Sequence, residues 1–148
     1  MKFLHISDLH IGKYVNGYRM LDDQRYMLER IVEIIKEKNP DALLIAGDIY
    51  DKSLPSAEAV ELFDNFMTEI AGLHGKTGLK TFVISGNHDS PERIAYFNKL
   101  IELNGIFTDG VFEGVARKNT VECDGERVNI FSLPFIRPSF VRKVYPEE

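Results

Sequence analysis

The chain has 148 residues, 44% apolar and 28% charged, the size and composition of a single folded domain, which excludes a disordered or low-complexity chain. Its net charge of −5 argues against a simple basic clamp on nucleic acid, unless bound metal ions supply positive charge locally. No apolar run approaches the ~20 residues of a membrane span. The opening segment reaches Asp8 too early for a secretory leader, and a lone cysteine, Cys123, excludes a disulfide framework and a cysteine-based zinc site, so a reducing cytoplasm is expected.

Phe3-Leu4-His5-Ile6-Ser7 reads as a strand. Leu28, Ile31, Val32 and Ile35 follow helical spacing and predict a helix over 24–38. Ala42-Leu43-Leu44-Ile45-Ala46 is a continuous apolar run, as expected of a strand covered on both faces. A second helix is predicted over 56–73, with Ser53 or Ser56 as N-cap and Pro55 leading in. Thr81-Phe82-Val83-Ile84-Ser85 is the third strand, and Ser90-Pro91 opens a third helix, 91–103, that Asn104-Gly105 ends. This alternation predicts an α/β fold with a mostly parallel sheet, right-handed crossovers and flanking helices. Residues 111–123 and 126–133 then read as two strands around Asp124-Gly125, a type I′ hairpin signal. Two prolines in Leu133-Pro134-Phe135-Ile136-Arg137-Pro138 mark an exit from the sheet, and no further element is expected before Pro146-Glu147-Glu148.

Each of the first three strands runs into polar residues: Asp8-Leu9-His10, Gly47-Asp48-Ile49-Tyr50-Asp51 and Gly86-Asn87-His88-Asp89. Asp8 to Asp48 is 40 residues and Asp48 to Asn87 is 39, room for one βα crossover in each gap. Ligand sites of open parallel sheets gather beyond the carboxyl ends of the strands, so Asp8, His10, Asp48, Asn87 and His88 are expected to converge. Singly, each is ordinary, because Gly-Asp and Gly-Asn are common turn dipeptides and a lone histidine usually packs. As an ordered set behind three strands they fit Mn²⁺ or Mg²⁺, whose ligands are carboxylate and amide oxygens and imidazoles. Two such cations ~3.5–4 Å apart would relieve carboxylate repulsion, clamp a phosphate and activate a water. Gly47 and Gly86 are expected to let the backbone turn sharply before the ligands.

These three motifs resemble those of the calcineurin-like metallophosphoesterases over roughly residues 1–100. Their finer form, Gly47-Asp48-Ile49-Tyr50-Asp51-Lys52-Ser53 with Gly86-Asn87-His88-Asp89-Ser90, is similar to the SbcD-type nucleases, the nuclease subunits of bacterial SbcCD complexes. Ile6–Lys13, Asp22-Asp23-Gln24-Arg25-Tyr26, Lys52–Ala59 and Leu133-Pro134-Phe135 extend the similarity. The resemblance implies a layered α-β-β-α fold and a metal-dependent DNA nuclease of end processing and repair, working with an SbcC-like ATPase. Asp8 and His10 would then hold one metal, Asp48 would bridge two, and Asn87 would ligate the second. His88 would be the catalytic histidine, protonating the leaving 3′ oxygen or steering the phosphate, with Asp51 hydrogen-bonded to its imidazole.

The family's further Gly-His and Gly-His-x-His motifs are not found, since the four histidines are 5, 10, 74 and 88, and His5 and His74 are expected to be structural. Residues 1–148 are therefore expected to be the N-terminal part of a longer nuclease domain, binding Mn²⁺ weakly and cleaving DNA poorly alone. Broad apolar arcs on helices 56–73 and 91–103 fit either burial against neighbours or, as in SbcD-like nucleases, a helical homodimer interface. Lys13, Arg19, Arg25, Arg93, Arg137, Arg142 and Lys143 are scattered, and the 12–21 loop fits either phosphate contact or a solvated turn. Two other functions stay open: a phosphoesterase acting on small nucleotides, and a non-catalytic scaffold of the same fold.

Overall fold

The computed structural model describes residues 1–146. Strands β1 (Phe3–Ile6), β4 (Ala42–Ala46), β5 (Lys80–Ile84) and β6 (Ile106–Asp109) form one sheet in the order β1-β4-β5-β6, every neighbouring pair parallel. Each strand is added on the same side of the last. Right-handed crossovers in a sheet that grows one way put all connecting helices on one face. That face is covered by α1 (Leu21–Lys38), α2 (Ala57–Thr77) and the helical turns of 91–104.

Alternation along each strand divides the core. Leu43, Ile45 and Val83 face the helices and meet Leu28, Val32 and Ile35 of α1 and Leu62, Phe66 and Ile70 of α2. Full burial of such a side chain contributes roughly 1.5–3 kcal/mol. Ala42, Phe82 and the flanking Leu44 and Phe107 face the other way, onto Val121 and Ile130 of an antiparallel hairpin, β7 (Arg117–Cys123) and β8 (Glu126–Ser132). Asp124 (φ 50°) and Gly125 (φ 79°) both lie in the left-handed region, as a type I′ turn demands.

Several boundaries differ from those predicted. α1 starts at Leu21, with Asp22 and Asp23 in its positive first turn. α2 begins beyond Ser56, whose hydroxyl accepts from the Ala59 amide at 3.3 Å, and runs through Gly72 and Gly75 to a left-handed Gly78 cap. The helix expected over 91–103 is instead α3 (Pro91–Ile94), α4 (Asn98–Ile101) and a 3₁₀ turn (Glu102–Asn104), because left-handed Phe97 ends one turn and starts the next. Three short elements are additional. Strand β6 has two polar residues in four and no apolar run to mark it. A two-residue ladder, β2 (Tyr14–Val15) with β3 (Tyr18–Arg19), turns at Asn16-Gly17, where both residues again have positive φ. Helix α5 (Pro138–Val144) uses Pro138 as its first residue, so the second proline begins a helix after the sheet exit. The 111–116 part of the first predicted hairpin strand is a loop, held where the Tyr145 hydroxyl donates to the Gly114 carbonyl at 2.9 Å. Glu147 and Glu148 lie outside the described residues.

Candidate metal centre

The loops after β1, β4 and β5 are adjacent because their strands are. The ladder continues past the strand ends: Asp8 N donates to Gly47 O (3.1 Å), His10 N to Asp48 O (2.9 Å) and Ile11 N to Ile49 O (2.9 Å). Leu9 and Ile11 are buried, so alternation turns Asp8 and His10 outward between two core anchors. Asp8 (φ 56°), His10 (φ 43°) and Asp48 (φ 48°) all occupy left-handed backbone, which costs a non-glycine residue on the order of 1–3 kcal/mol. Three such outliers on three sequence-predicted ligands place local strain at the site rather than elsewhere in the sheet edge.

The side chains of His10, Asp48 and His88 come together, with one donor atom from each inside a 4.8 Å group. His10 Nε2 lies 4.0 Å from Asp8 Oδ1 and 3.9 Å from Asp48 Oδ2, and His10 Nδ1 lies 3.6 Å from Asp51 Oδ1. All three separations are too long for hydrogen bonds, and among the described residues buried His10 Nδ1 has no hydrogen-bond partner. Two atoms each ~2.1 Å from a common ion can be about 4.2 Å apart at most, so His10 Nε2 has the spacing of a fellow ligand to Asp48 and, taken separately, to Asp8. Carboxylates and imidazoles without thiolates also fit a hard-to-borderline divalent metal. The residues present therefore suit a divalent cation, which His10 and Asp48 would hold with Asp8 and His88 beside them.

Asp48 also accepts the His88 amide at 3.0 Å, joining the second loop to the third. Asn87 is exposed on that loop, and its carbonyl accepts from Arg137. The expected partner of the His88 imidazole needs correction. His88 Nδ1 lies 2.9 Å from the backbone carbonyl of Asp51, while the Asp51 carboxylate faces His10. A carbonyl can only accept, so Nδ1 carries the proton and Nε2 is left free. The contact that orients the ring is therefore the main chain of Asp51 and not its carboxylate. His10 and His88 also pack edge to face at 4.9 Å. His74 is structural, its Nδ1 held on Leu79 O at 2.7 Å, and His5 lies on an exposed position of β1.

Two positioning groups, Asp89 and Gln24, were not assigned from sequence, and a third, Gly86, has another reason than the sharp turn expected of it. Asp89, 4% exposed, accepts the amides of Ile49, Tyr50 and Gly86 and clasps two loops together. Gln24 of α1 accepts the Gly12 amide at 2.9 Å and donates to the carbonyls of Leu9 (3.2 Å) and His10 (2.7 Å), so a helix holds the first loop. Gly86 does not have positive φ. It is required because a Cβ there would overlap the Asp48 carboxylate and amide, whereas Gly47 (φ 81°) both turns and meets Gly86 Cα. The only textual trace of these roles was their place inside the motifs. Beside Asp89, burial pushes the Tyr50 hydroxyl up to about 12, helped by the charges of Asp89 and Asp64, so it stays neutral at ordinary pH.

No helix among the described residues is long and apolar enough to cross a membrane. The family model for calcineurin-like phosphoesterases matches residues 1–146. With that match over nearly the whole chain, and a histidine–aspartate cluster suited to a divalent cation at the sheet edge, the chain belongs to the calcineurin-like phosphoesterase family, whose chemistry is metal-dependent phosphoester hydrolysis.

Proposed function

We propose that this chain acts on DNA as an SbcD-like, Mn²⁺-dependent phosphodiesterase of a repair and recombination complex in a reducing cytoplasm, with an SbcC-like ATPase as partner. The supporting observation is the meeting of His10, Asp48 and His88 at an open edge, where His88 and Asn87 are exposed to an approaching strand. The Gly47–Ser53 and Gly86–Ser90 motifs add the resemblance to nucleases. In this reading Asp8, His10, Asp48 and Asn87 would supply part of the ligand set of two cations, whose chemistry would be to polarise the phosphate and lower the pKa of a water. Asp48 fixes the third loop by accepting the His88 amide. The Asp51 carbonyl accepts from Nδ1, so a proton for the leaving 3′ oxygen, or a hydrogen bond to the phosphate, would come from a second proton on Nε2. Base-specific contacts are not required of an enzyme that reads a phosphate backbone.

Asp48→Asn is expected to weaken Mn²⁺ binding at least tenfold in calorimetric titration, since a carboxylate at the centre of the donor set loses its charge. Equal affinities for both proteins would remove the metal site. Residues 1–148 alone are expected to cleave only weakly; a preference for single- or double-stranded DNA over cyclic nucleotides supports the nuclease, and the reverse preference favours a small-nucleotide phosphoesterase.

A homodimer through the 91–104 segment is part of the same proposal. The apolar arc of α2 mostly belongs to the core, with Leu62 and Phe66 each 4% exposed, so neither is free to form an interface. Phe63 and Met67 line a 690 Å³ cleft under α3 and α4. Tyr96, Phe97, Leu100 and Leu103, 61–79% exposed, are the apolar surface that a second copy would cover. Sedimentation velocity should show the Leu100→Glu, Leu103→Glu double variant shifted to monomer; an unchanged dimer, or a monomeric wild type, would discard this interface.

A further inference from the structure

We infer that Arg137 is a phosphate-binding residue of the metal site, taking substrate oxyanions beside the His88 loop; this rests on the phosphoesterase reading above. Arg137 Nη2 donates to the Asn87 carbonyl at 2.9 Å, one residue before His88. Its approach is fixed from both sides. Phe135 N donates to Ser85 O at 2.9 Å, which docks the 133–137 strap on the start of the same loop. Pro138 then begins α5, so Arg137 is held extended (φ −106°, ψ 151°) between a docked strap and a helix. The guanidinium also lies over the Phe135 ring, 5.9 Å from its centroid.

The guanidinium is thus held in place, and among the described residues no carboxylate neutralises its charge. Arg19, Arg30, Arg117 and Arg127 each pair with a carboxylate; among the described residues Arg25, Arg93, Arg137 and Arg142 pair with none, and of these four Arg137 is the one hydrogen-bonded to the main chain of the His88 loop. Its single protein bond goes to a neutral carbonyl, and the other donors of its planar fork are uncommitted. A guanidinium of this kind matches two phosphate oxygens at once, which an ammonium cannot do. The need is electrostatic as well. Asp8, Asp48, Asp51 and Asp89 crowd the site and the chain carries a net charge of −5, so a phosphate must be drawn past like charge. Bound cations offset that charge at the scissile group, and Arg137 does so on the flank.

The experiment uses the whole chain loaded with Mn²⁺, as wild type, Arg137→Gln and Arg137→Lys, with Arg142→Gln on α5 as control. Fluorescence anisotropy follows a labelled single-stranded deoxyoligonucleotide across salt concentrations, and calorimetry follows inorganic phosphate and, separately, Mn²⁺. Arg137→Gln should weaken anion binding about tenfold and lower the salt slope for the oligonucleotide by about one. Arg137→Lys should recover the slope but only part of the affinity, since charge returns without the fork. Mn²⁺ affinity and the melting temperature should hold in all variants, which a merely structural strap would not allow. Loss for both anions, or for either, assigns Arg137 to the substrate oxyanion and says whether a diester or a free phosphate is its partner. Unchanged binding of both in Arg137→Gln, with Mn²⁺ still bound, overturns the inference and leaves the metal site standing. A wild type that binds no Mn²⁺ overturns the metal reading and this inference with it.

Discussion

Asp89→Ala is expected to lower folding stability by about 3–5 kcal/mol and to loosen the metal loops together. The carboxylate is 4% exposed and receives three backbone amides: Gly86 at 2.8 Å and Ile49 at 3.2 Å on Oδ2, and Tyr50 at 3.0 Å on Oδ1. Alanine leaves those donors without an acceptor where water is largely excluded, and the cost of an unpaired buried donor exceeds the net gain of making the bond. Asp89→Asn should fall between wild type and alanine, because its amide oxygen can keep the Gly86 and Ile49 amides while its NH₂ faces the Tyr50 N–H. Urea unfolding measures the loss. A midpoint unchanged from wild type would show that the clasp adds nothing. Mn²⁺ titration of the folded variant reads the second effect, since Asp48 and His88 sit on the two loops that Asp89 ties.

Gly86→Ala should be of similar size for a different reason. Its backbone suits any residue, so the penalty is steric: the new methyl would overlap Asp48 Oδ1 and the Asp48 amide. Relief requires moving the carboxylate at the centre of the cluster or parting β4 from β5 at their ends. Overpacking of this kind costs about 3 kcal/mol, more where only backbone can yield. Gly72→Ala is the internal control. It lies within α2 with nothing inside 4 Å of a new Cβ, so it should stabilise by roughly 0.5–1 kcal/mol. Thermal melts of the two variants should move in opposite directions. Equal melting temperatures for Gly86→Ala and wild type would mean that the two loops are further apart than described.

The parts of this site that were legible in the sequence share one property. His10, Asp48 and His88, whose side chains the fold brings together, follow apolar runs whose strand character is local, so their meeting needs only the rule that parallel sheets collect function at one edge. Asp89 and Gln24 were invisible as positioning groups because a buried polar side chain looks like an exposed one until its acceptors and donors are folded around it. The same holds for Gly86, whose reason is a neighbour 38 positions earlier, Asp48, and not its own φ. The partner of His88 was assigned to the wrong atoms of the right residue, since residue spacing cannot separate a carboxylate from the carbonyl of the same Asp51. Strand β6 and the breaks in 91–104 failed on pattern. A four-residue edge strand carrying Thr108 and Asp109 has no periodic signal, and left-handed Phe97 contradicts every local preference of a phenylalanine.

Leu9 and Ile11, 7% and 1% exposed, flank His10 on one short stretch of backbone. Reactive and hydrophobic positions therefore alternate along a single thread, and the donors have no slack of their own. The first loop cannot breathe to admit a bulkier ligand without prying two pegs out of the interior. Accommodation of differently shaped substrates then falls to a stretch without such pegs, the exposed hairpin around Asn16-Gly17, which can be rewritten by evolution or by design while the chemistry stays where it is.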